Sequence, residues 1–559
     1  MGPPPVPRSF NLADLWEAVA ARVPEREALV CGARRRTYAD LEERANRLAH
    51  HLSGRGIGPG DHVGLQLGNG SEYLEVMLAA FKVRAVPINV NYRYVAGELR
   101  HLFTDAGLVA LVVHRRFAAH AAGVVGDLDH LRTVAVVEDG SGADVDGLAA
   151  AGPEVVDYED ALAVASPAPP VVTGRSGDDR YVIYTGGTTG RPKGVVWRQE
   201  DAFFACIGGG DPMRLQGPVE RPEQVVERII DGSFCALPLA PLMHAAAQWT
   251  SLSWLLAGGK VVLMPGSLDP PAVWQAVQDE GVNLLIMVGD AVGRPLIEAW
   301  EAARLEAPRS EAGPVRWDAS SLLSLSNGGA PMTPALKDRL AAAFPSAVLV
   351  DGFGSSETGA QGSQRRAPGE TYTGVTQFSP YGDTVVLDED RRPVPHGSGT
   401  VGVVAAGGRI PLGYRNDPDR TAATFVEVEG RRWAFTGDMA TVSEDGTIAL
   451  LGRGSGCINT GGEKVFPEEV EGALLTHPQV RDALVVGVAD ERWGQRVTAV
   501  VEPAEGSAPV LDDLVAHCRR DLAGYKVPKA LVVVDRVERS PAGKADYRWA
   551  RSVAVGAGK

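Results

Sequence analysis

The chain has 559 residues, 45% of them hydrophobic, and carries a formal net charge of −15 at pH 7. That length exceeds one ordinary core and supplies roughly two or three packed lobes, while the acidic balance argues against nucleic-acid or anionic-membrane surfaces, so an anionic ligand must meet a locally positive site. The longest apolar run, Leu252 to Met264, is interrupted by Gly258, Gly259 and Lys260, residues 1–9 lack a signal peptide's apolar segment, and five scattered cysteines fit reduced thiols, so a cytoplasmic protein without a membrane span is expected.

Apolar residues at helical spacing predict helices over Asn11–Arg22 and Tyr38–Leu52, the second with Leu41, Ala45, Leu48 and Leu52 on one face, and Ala28–Cys31 between them reads as a short strand. A strand–helix rhythm follows: strand Val63–Leu67, helix Glu72–Arg84, strand Val86–Val90, then strands Ala110–Val113 and Val134–Val137. The pattern predicts an α/β protein of mostly parallel sheets covered by helices. Asp139–Gly152, Gly208–Glu223 and Ala302–Pro314 read as polar loops.

The segment Tyr184–Val195, YTGGTTGRPKGV, lies between the β-branched runs Tyr181–Ile183 and Val195–Val196 and reads as a ligand loop between strands. Gly186, Gly187 and Gly190 let the backbone approach a ligand, Thr185, Thr188 and Thr189 supply hydroxyls, and Lys193 supplies a point charge suited to polyphosphate. A Walker A loop is excluded, because Lys193 follows a proline and precedes a glycine. The segment resembles the phosphate-binding motif of the adenylate-forming superfamily, whose members activate carboxylates with ATP, and further family motifs follow in order.

Pro238–Trp249, PLAPLMHAAAQW, is similar to the family's acyl-pocket entrance, with His244 as the gating or lining residue; a locally packed histidine is the plainer alternative. Met243, His244 and Ala245 offer no carboxylate for an ammonium, which disfavours an amino-acid substrate. In Ser326–Met332, SNGGAPM, the resemblance puts Gly329, Ala330 and Pro331 beside adenine. Asp351–Gly359, DGFGSSETG, is similar to the family's YGxTE motif. It comprises Asp351, Gly352, Phe353 for stacking on adenine, Gly354, Ser356 for a phosphate oxygen, and Glu357 as the catalytic ligand of Mg²⁺, a hard cation that takes oxygen donors. Trp433–Ala440 matches the TGD motif, which assigns Asp438 to the ribose hydroxyls, and Gly452-Arg453 matches the pair that opens a second domain, with Arg453 also on ribose.

The junction departs from the family pattern: Ser455, Gly456 and Asn459 replace a lysine, the usual acidic hinge residue and a second lysine. Gly454 and Gly456 still permit a pivot. Gly461 and Gly462 resemble the loop lining the pantetheine tunnel of CoA, and Lys464 is the candidate to take over the missing lysines' work. The last unit reads as a small α/β domain with a helix from Pro467, strands Ala483–Val488, Val497–Val501 and Ala530–Val534, and a helix Val510–Leu522. Ser540–Tyr547, SPAGKADY, matches the final motif, which makes Lys544 the catalytic lysine bridging carboxylate and α-phosphate.

The resemblance therefore implies a large ATP- and acyl-binding domain, 1–452, and a small mobile α/β domain, 453–559, using ATP, Mg²⁺ and CoA. TGGTTGRPKGVVWRQED, NVNYRY and GRGSGCINTGGEKVFPEEVE resemble the branch of steroid side-chain and fatty-acyl-CoA ligases, which implies a bulky apolar carboxylic acid as the small-molecule substrate. Trp197, Met243, Trp249, Leu252 and Met287 are candidates either for its pocket or for plain core. Three readings stand: a full CoA ligase; an adenylating enzyme passing acyl-AMP to a carrier protein or second ligase; and an inactive nucleotide-binding scaffold, disfavoured by Glu357, Asp438, Arg453 and Lys544 occurring together. A homodimer is a candidate assembly.

Overall fold

The structure is a computed structural model and describes residues 7–186, 191–232, 234–306, 317–370, 376–460, 463–490, 493–539 and 544–557; at Glu306, Arg453, Ser455 and Lys464 it describes the backbone alone. The first helix, Leu12–Arg22, begins where the Asn11 side chain accepts the Ala13 N–H, and the second, Tyr38–Gly54, where Thr37 and Asp40 form a reciprocal capping box. Their buried faces, with helix Ser71–Lys82, enclose Trp16, Tyr38, Tyr73 and Phe81 in a cluster that also takes in Trp197.

Two sheets flank these helices. Among the described residues, one has fourteen strands. Its parallel centre runs Glu27–Cys31, Lys260–Leu263, Cys235–Pro238, Leu284–Met287, Ser324–Asn327 and Val348–Ser355. From Val348–Ser355 outward it turns antiparallel through Gly359–Arg366, Gln377–Pro380, Ile448–Arg453, Arg431–Val442, Gly402–Gly407 and Thr384–Leu387. The other sheet has a parallel run of Val86–Asn89, His62–Gln66, Leu108–His114, Thr133–Val137 and Glu154–Asp157. Beside Val86–Asn89 it carries the antiparallel hairpin Arg180–Thr185 and Lys193–Arg198, with Gly413–Tyr414 on the outer edge. A third sheet is built on the long hairpin Val480–Asp490 and Gly494–Pro503, which Ala530–Val533 joins in parallel.

The βα rhythm of the first 140 residues is present with boundaries shifted by a residue or two. Elsewhere the structure differs from expectation. Ala302–Glu306 is not loop but the last turn and a half of helix Gly289–Glu306, because AARLE consists largely of strong helix formers. Asp351–Ser355 continues the strand from Val348, its glycines tolerated because they pair across a hairpin with Gly359–Gln364. A C-terminal helix, Tyr547–Gly556, also forms, capped by Asp546. It packs Ala550 and Ala554 on the outer face of the third sheet. No helix among the described residues is long and apolar enough to cross a membrane.

Lys82 is fully buried and reaches Glu17 at 2.7 Å and Glu42 at 2.8 Å, tying three helices together. Burial alone would raise the Glu17 carboxyl, but the charges of Lys82 and Arg175 outweigh it and hold the group below its ordinary value. Lys82→Ala leaves two partly buried carboxylates facing each other, so a loss of about 3–5 kcal/mol is expected in urea unfolding. A midpoint unchanged from the parent would show that this triad does not bind the helices.

Candidate functional site

At the two ends of the Gly/Thr-rich segment, Thr185 and Lys193 lie opposite each other in an antiparallel strand pair, so both residues are held in strands. One buried amide sets its position. Asn89 accepts the Tyr184 N–H at 2.7 Å and donates to Tyr184 O at 2.8 Å and Met243 O at 2.7 Å, fixing the hairpin against the segment that precedes His244. On the other side, Gly413–Tyr414 pairs with Val195 and Val196, and the Arg415 N–H donates to Gly194 O at 2.8 Å.

This edge strand brings in Tyr414, a residue without a motif in the sequence. Lys193 Nζ lies 2.8 Å from Glu357 Oε1 and donates to Tyr414 Oη at 2.9 Å, and Tyr414 Oη donates to the same carboxylate oxygen at 2.9 Å. Burial would raise the Glu357 carboxyl, but the Lys193 charge and the hydrogen bonds from Lys193 and Tyr414 overcome it and keep the group below its ordinary range. Burial and the neighbouring Glu357 charge push the Tyr414 phenol up, so it stays a donor. The turn under Glu357 is closed by hydroxyls: Ser355 Oγ accepts the Glu357 N–H at 3.2 Å, and Thr358 Oγ1 bonds Ser355 Oγ at 3.0 Å and Gln361 Oε1 at 2.9 Å. Ser356 contributes its carbonyl to Trp197 Nε1 at 3.0 Å.

Next along the sheet, Asn327 ends its strand by accepting the Gly289 N–H at 2.7 Å and donating to Ala330 O at 3.0 Å and Asp351 Oδ1 at 2.6 Å. The turn Gly329–Pro331, with Gly329 at φ +79°, is thereby held against Asp351–Gly354 on the neighbouring strand. Asp351 also pairs with Lys337, and Phe353 packs on Phe378 with centroids 5.2 Å apart. Asp438 lies across a strand pair from Arg453 and accepts from Thr436 Oγ1. Gly437 and Gly452, at φ +84° and +100°, adopt conformations that side chains disfavour.

His244 precedes helix Ala245–Leu256. Burial, followed by the charges of Arg93 and Lys544, lowers its imidazole to about 4, so it is neutral at pH 7. Lys544, an exposed residue of the small unit, is thus near enough for its charge to act on His244, and the neighbouring Ala545 forms a bridge with Arg539. Of the pocket candidates, Trp197, Met243, Leu252 and Met287 are packed core, each at most 2% exposed, whereas Trp249 is only partly buried. Gly187, Thr188, Thr189, Gly190, Gly461 and Gly462, and the side chains of Arg453 and Lys464, lie outside the described residues. The structure therefore brings Thr185, Gly186, Lys193 and Glu357 together, holds the segment before His244 against the Tyr184 strand and sets Gly329–Pro331 beside Asp351–Gly354, whereas Asp438 lies on a strand four positions from Val348–Ser355 in the same sheet. The sequence reading missed Tyr414, Asn89, Asn327 and Arg93; NVNYRY, which holds Asn89 and Arg93, was the available signal.

The profile of the AMP-binding enzyme family matches residues 16–414, and that of the AMP-binding enzyme C-terminal domain matches residues 469–544. The chain is 45% identical over 543 residues to a 3-oxocholest-4-en-26-oate–CoA ligase of Rhodococcus rhodochrous, covering 97% of this chain and 96% of that one. It is 44% identical over 546 residues to a medium/long-chain-fatty-acid–CoA/3-oxocholest-4-en-26-oate–CoA ligase of Mycolicibacterium smegmatis, covering 98% and 96%. The crystal structure of the anthranilate CoA ligase AuaEII with anthranoyl-AMP has the same fold, with TM-score 0.79, 22% identity and 99% of each chain covered.

Two titrations check the electrostatics. Lys193→Met removes the charge opposing burial, so Glu357 is expected to take up its proton at higher pH, read as an infrared carboxyl band absent from Glu357→Gln. Lys544→Ala removes a positive neighbour of His244, so the imidazole should titrate above about 4 by NMR. An unmoved His244 resonance would show that Lys544 does not face it.

Proposed function

The chain belongs to the AMP-binding enzyme family, and from that premise we propose that it is an ATP-dependent, AMP-forming acyl-CoA ligase acting on a bulky apolar carboxylic acid. The reading is carried by identity of 44–45% along nearly the whole length to ligases of a steroid side-chain acid and of medium- and long-chain fatty acids. Steroid, terpenoid and fatty carboxylates are the candidate substrates, and an apolar pocket holds them at roughly 0.8 kcal/mol per buried methylene. The five cysteines carry thiols rather than disulfides, which supports a cytoplasmic site of action.

A carboxylate resists acyl transfer because its oxygen leaves poorly and its charge repels nucleophiles. In the first half-reaction the substrate carboxylate attacks the α-phosphorus of ATP in line and pyrophosphate leaves. Lys544 sits between the reacting oxygens and offsets the charge growing on phosphorus. Lys193 and the hydroxyls and backbone of 185–190 hold the departing phosphates. While Lys193 pairs with Glu357 the two charges cancel; once Lys193 turns to phosphate, the ionised Glu357 offers an oxygen donor that fits Mg²⁺. Bound there, the ion would neutralise phosphate oxygens. Asp438 and Arg453 take the ribose hydroxyls, and Gly329–Pro331 with Phe353 border adenine. His244, neutral at pH 7, lines the acyl entrance without adding charge beside Lys544.

In the second half-reaction the CoA thiol attacks the acyl carbonyl and AMP departs. The division into residues 1–452 and 453–559 makes the small unit the mobile part, with Gly454 and Gly456 as its pivot, Gly461 and Gly462 along the thiol's path, and Lys464 in place of the lysines absent at 455 and 459.

Pyrophosphate release and thioester formation, followed side by side over fatty, aromatic, steroid and terpenoid acids, test the reading. One acid class is expected to give both products. Lys544→Ala should slow pyrophosphate release at least about 100-fold while leaving ATP affinity near that of the parent. Equal rates in variant and parent would refute the assignment of Lys544, and pyrophosphate without thioester would refute the full ligase.

A further inference from the structure

Helix Gly289–Glu306 presents Asp290, Arg294 and Glu298 at successive i, i+4 positions, one polar stripe facing the small unit. Asp290 anchors the stripe by accepting Thr333 N at 2.7 Å and Thr333 Oγ1 at 2.9 Å. Arg294, paired with Asp290, donates to the Arg481 carbonyl at 3.2 Å. Glu298 faces the Arg481 guanidinium at 3.7 Å, and that guanidinium reaches Glu502 at 3.2 Å. Residue 481 adjoins Asp482, whose carboxylate takes Arg539 Nε at 2.8 Å and Nη2 at 2.7 Å. Arg539 bridges to Ala545, the residue after Lys544. Beyond it, Tyr547 Oη donates at 3.1 Å to the buried Glu471 carboxyl, which accepts the Val485 N–H at 2.7 Å. The neck of the Lys544 segment is therefore clamped to strand Val480–Asp490 on both sides, and that strand is gripped at one end by Arg294 and Glu298.

We propose that Arg294 and Glu298 are positioning residues for adenylation: through Arg481 they seat the small unit so that the Asp482–Arg539 clamp delivers Lys544 to the reacting carboxylate and α-phosphate. The proposal rests on the ligase reading above. The two half-reactions depend on this grip differently. Lys544 works only while the α-phosphorus is attacked, whereas thiol attack on the finished acyl-adenylate needs no lysine at phosphorus and follows release of the grip by rotation of the small unit. Neither residue touches substrate, so losing one displaces Lys544 without altering nucleotide contacts.

Single-turnover pyrophosphate release and thioester formation from supplied acyl-adenylate and CoA separate the two steps. Arg294→Ala, which removes a charged donor, is expected to slow pyrophosphate release about tenfold. KM for ATP should stay within about twofold and the rate from supplied acyl-adenylate should be undiminished, since a positioning loss falls on kcat for the first step alone. Glu298→Gln should give a smaller loss of the same kind, and Arg294→Lys, which retains a donor, should recover part of the rate. Unchanged pyrophosphate release in both Arg294→Ala and Glu298→Gln, or equal slowing of both half-reactions, would overturn the proposal. A parent protein yielding pyrophosphate with no acid would instead overturn the ligase reading, a result separable from any behaviour of the variants.

Discussion

Glu357 must remain ionised while it is only 9% exposed, in a chain already carrying 15 excess negative charges. Desolvation alone would raise its carboxyl above the ordinary range. Lys193 and Tyr414 prevent this from two different strands, and the three side chains form a closed triangle with every edge between 2.8 and 2.9 Å. The cluster is nearly neutral as it stands, so Lys193 is already matched by a carboxylate. Under the proposed ligase function a polyphosphate would compete for Lys193 and expose the carboxylate at the same moment, coupling occupation of the loop to the availability of an oxygen donor.

That triangle exists only because several buried amides set strand ends against each other. Asn89 ties the Tyr184 strand to the Met243 carbonyl, and Asn327 ties its own turn to Gly289 and Asp351. A carboxamide serves well here, since it can accept one backbone N–H and donate to carbonyls while adding no charge to a crowded electrostatic site. Gly329, Gly437 and Gly452, all at positive φ, let the backbone turn where these strands end. The site is thus a property of strand termini, and its side chains inherit the rigidity of two sheets.

The small unit adds its lysine on different physical terms. Its own core is independent, with Val465, Val470, Ala483, Val485, Val497 and Val501 closing one face of its sheet. Near Lys544 the contacts that bind it to helix Gly289–Glu306 are polar and partly exposed, Glu298 and Arg481 being about half accessible. Screened contacts of this kind separate at small cost, which suits the proposed function, in which the lysine serves one step and withdraws in the next.

Much of the fold was legible in the chain because hydrophobic period is local: the helices at 12–22, 38–54 and 71–82 and the strands between them follow from spacing alone. Lys193 stood out because a loop of Gly and Thr around a lysine rarely serves packing, and Glu357, Asp438 and Lys544 stood out through the family motifs their segments resemble. Tyr414 did not, since a tyrosine beside a glycine carries no pattern; its role arises from pairing with Val195, more than 200 residues earlier. Asn89 and Asn327 lie within NVNYRY and SNGGAPM, but their role was not legible there, because a buried amide is defined by the carbonyls it meets. Composition and local order determined which elements form and which loops could bind anions. The tertiary structure alone decided that Lys193 would meet Glu357 and that Arg294 would meet Arg481, because hydrogen bonds and ion pairs act over a few ångströms and only folding brings distant residues within that range.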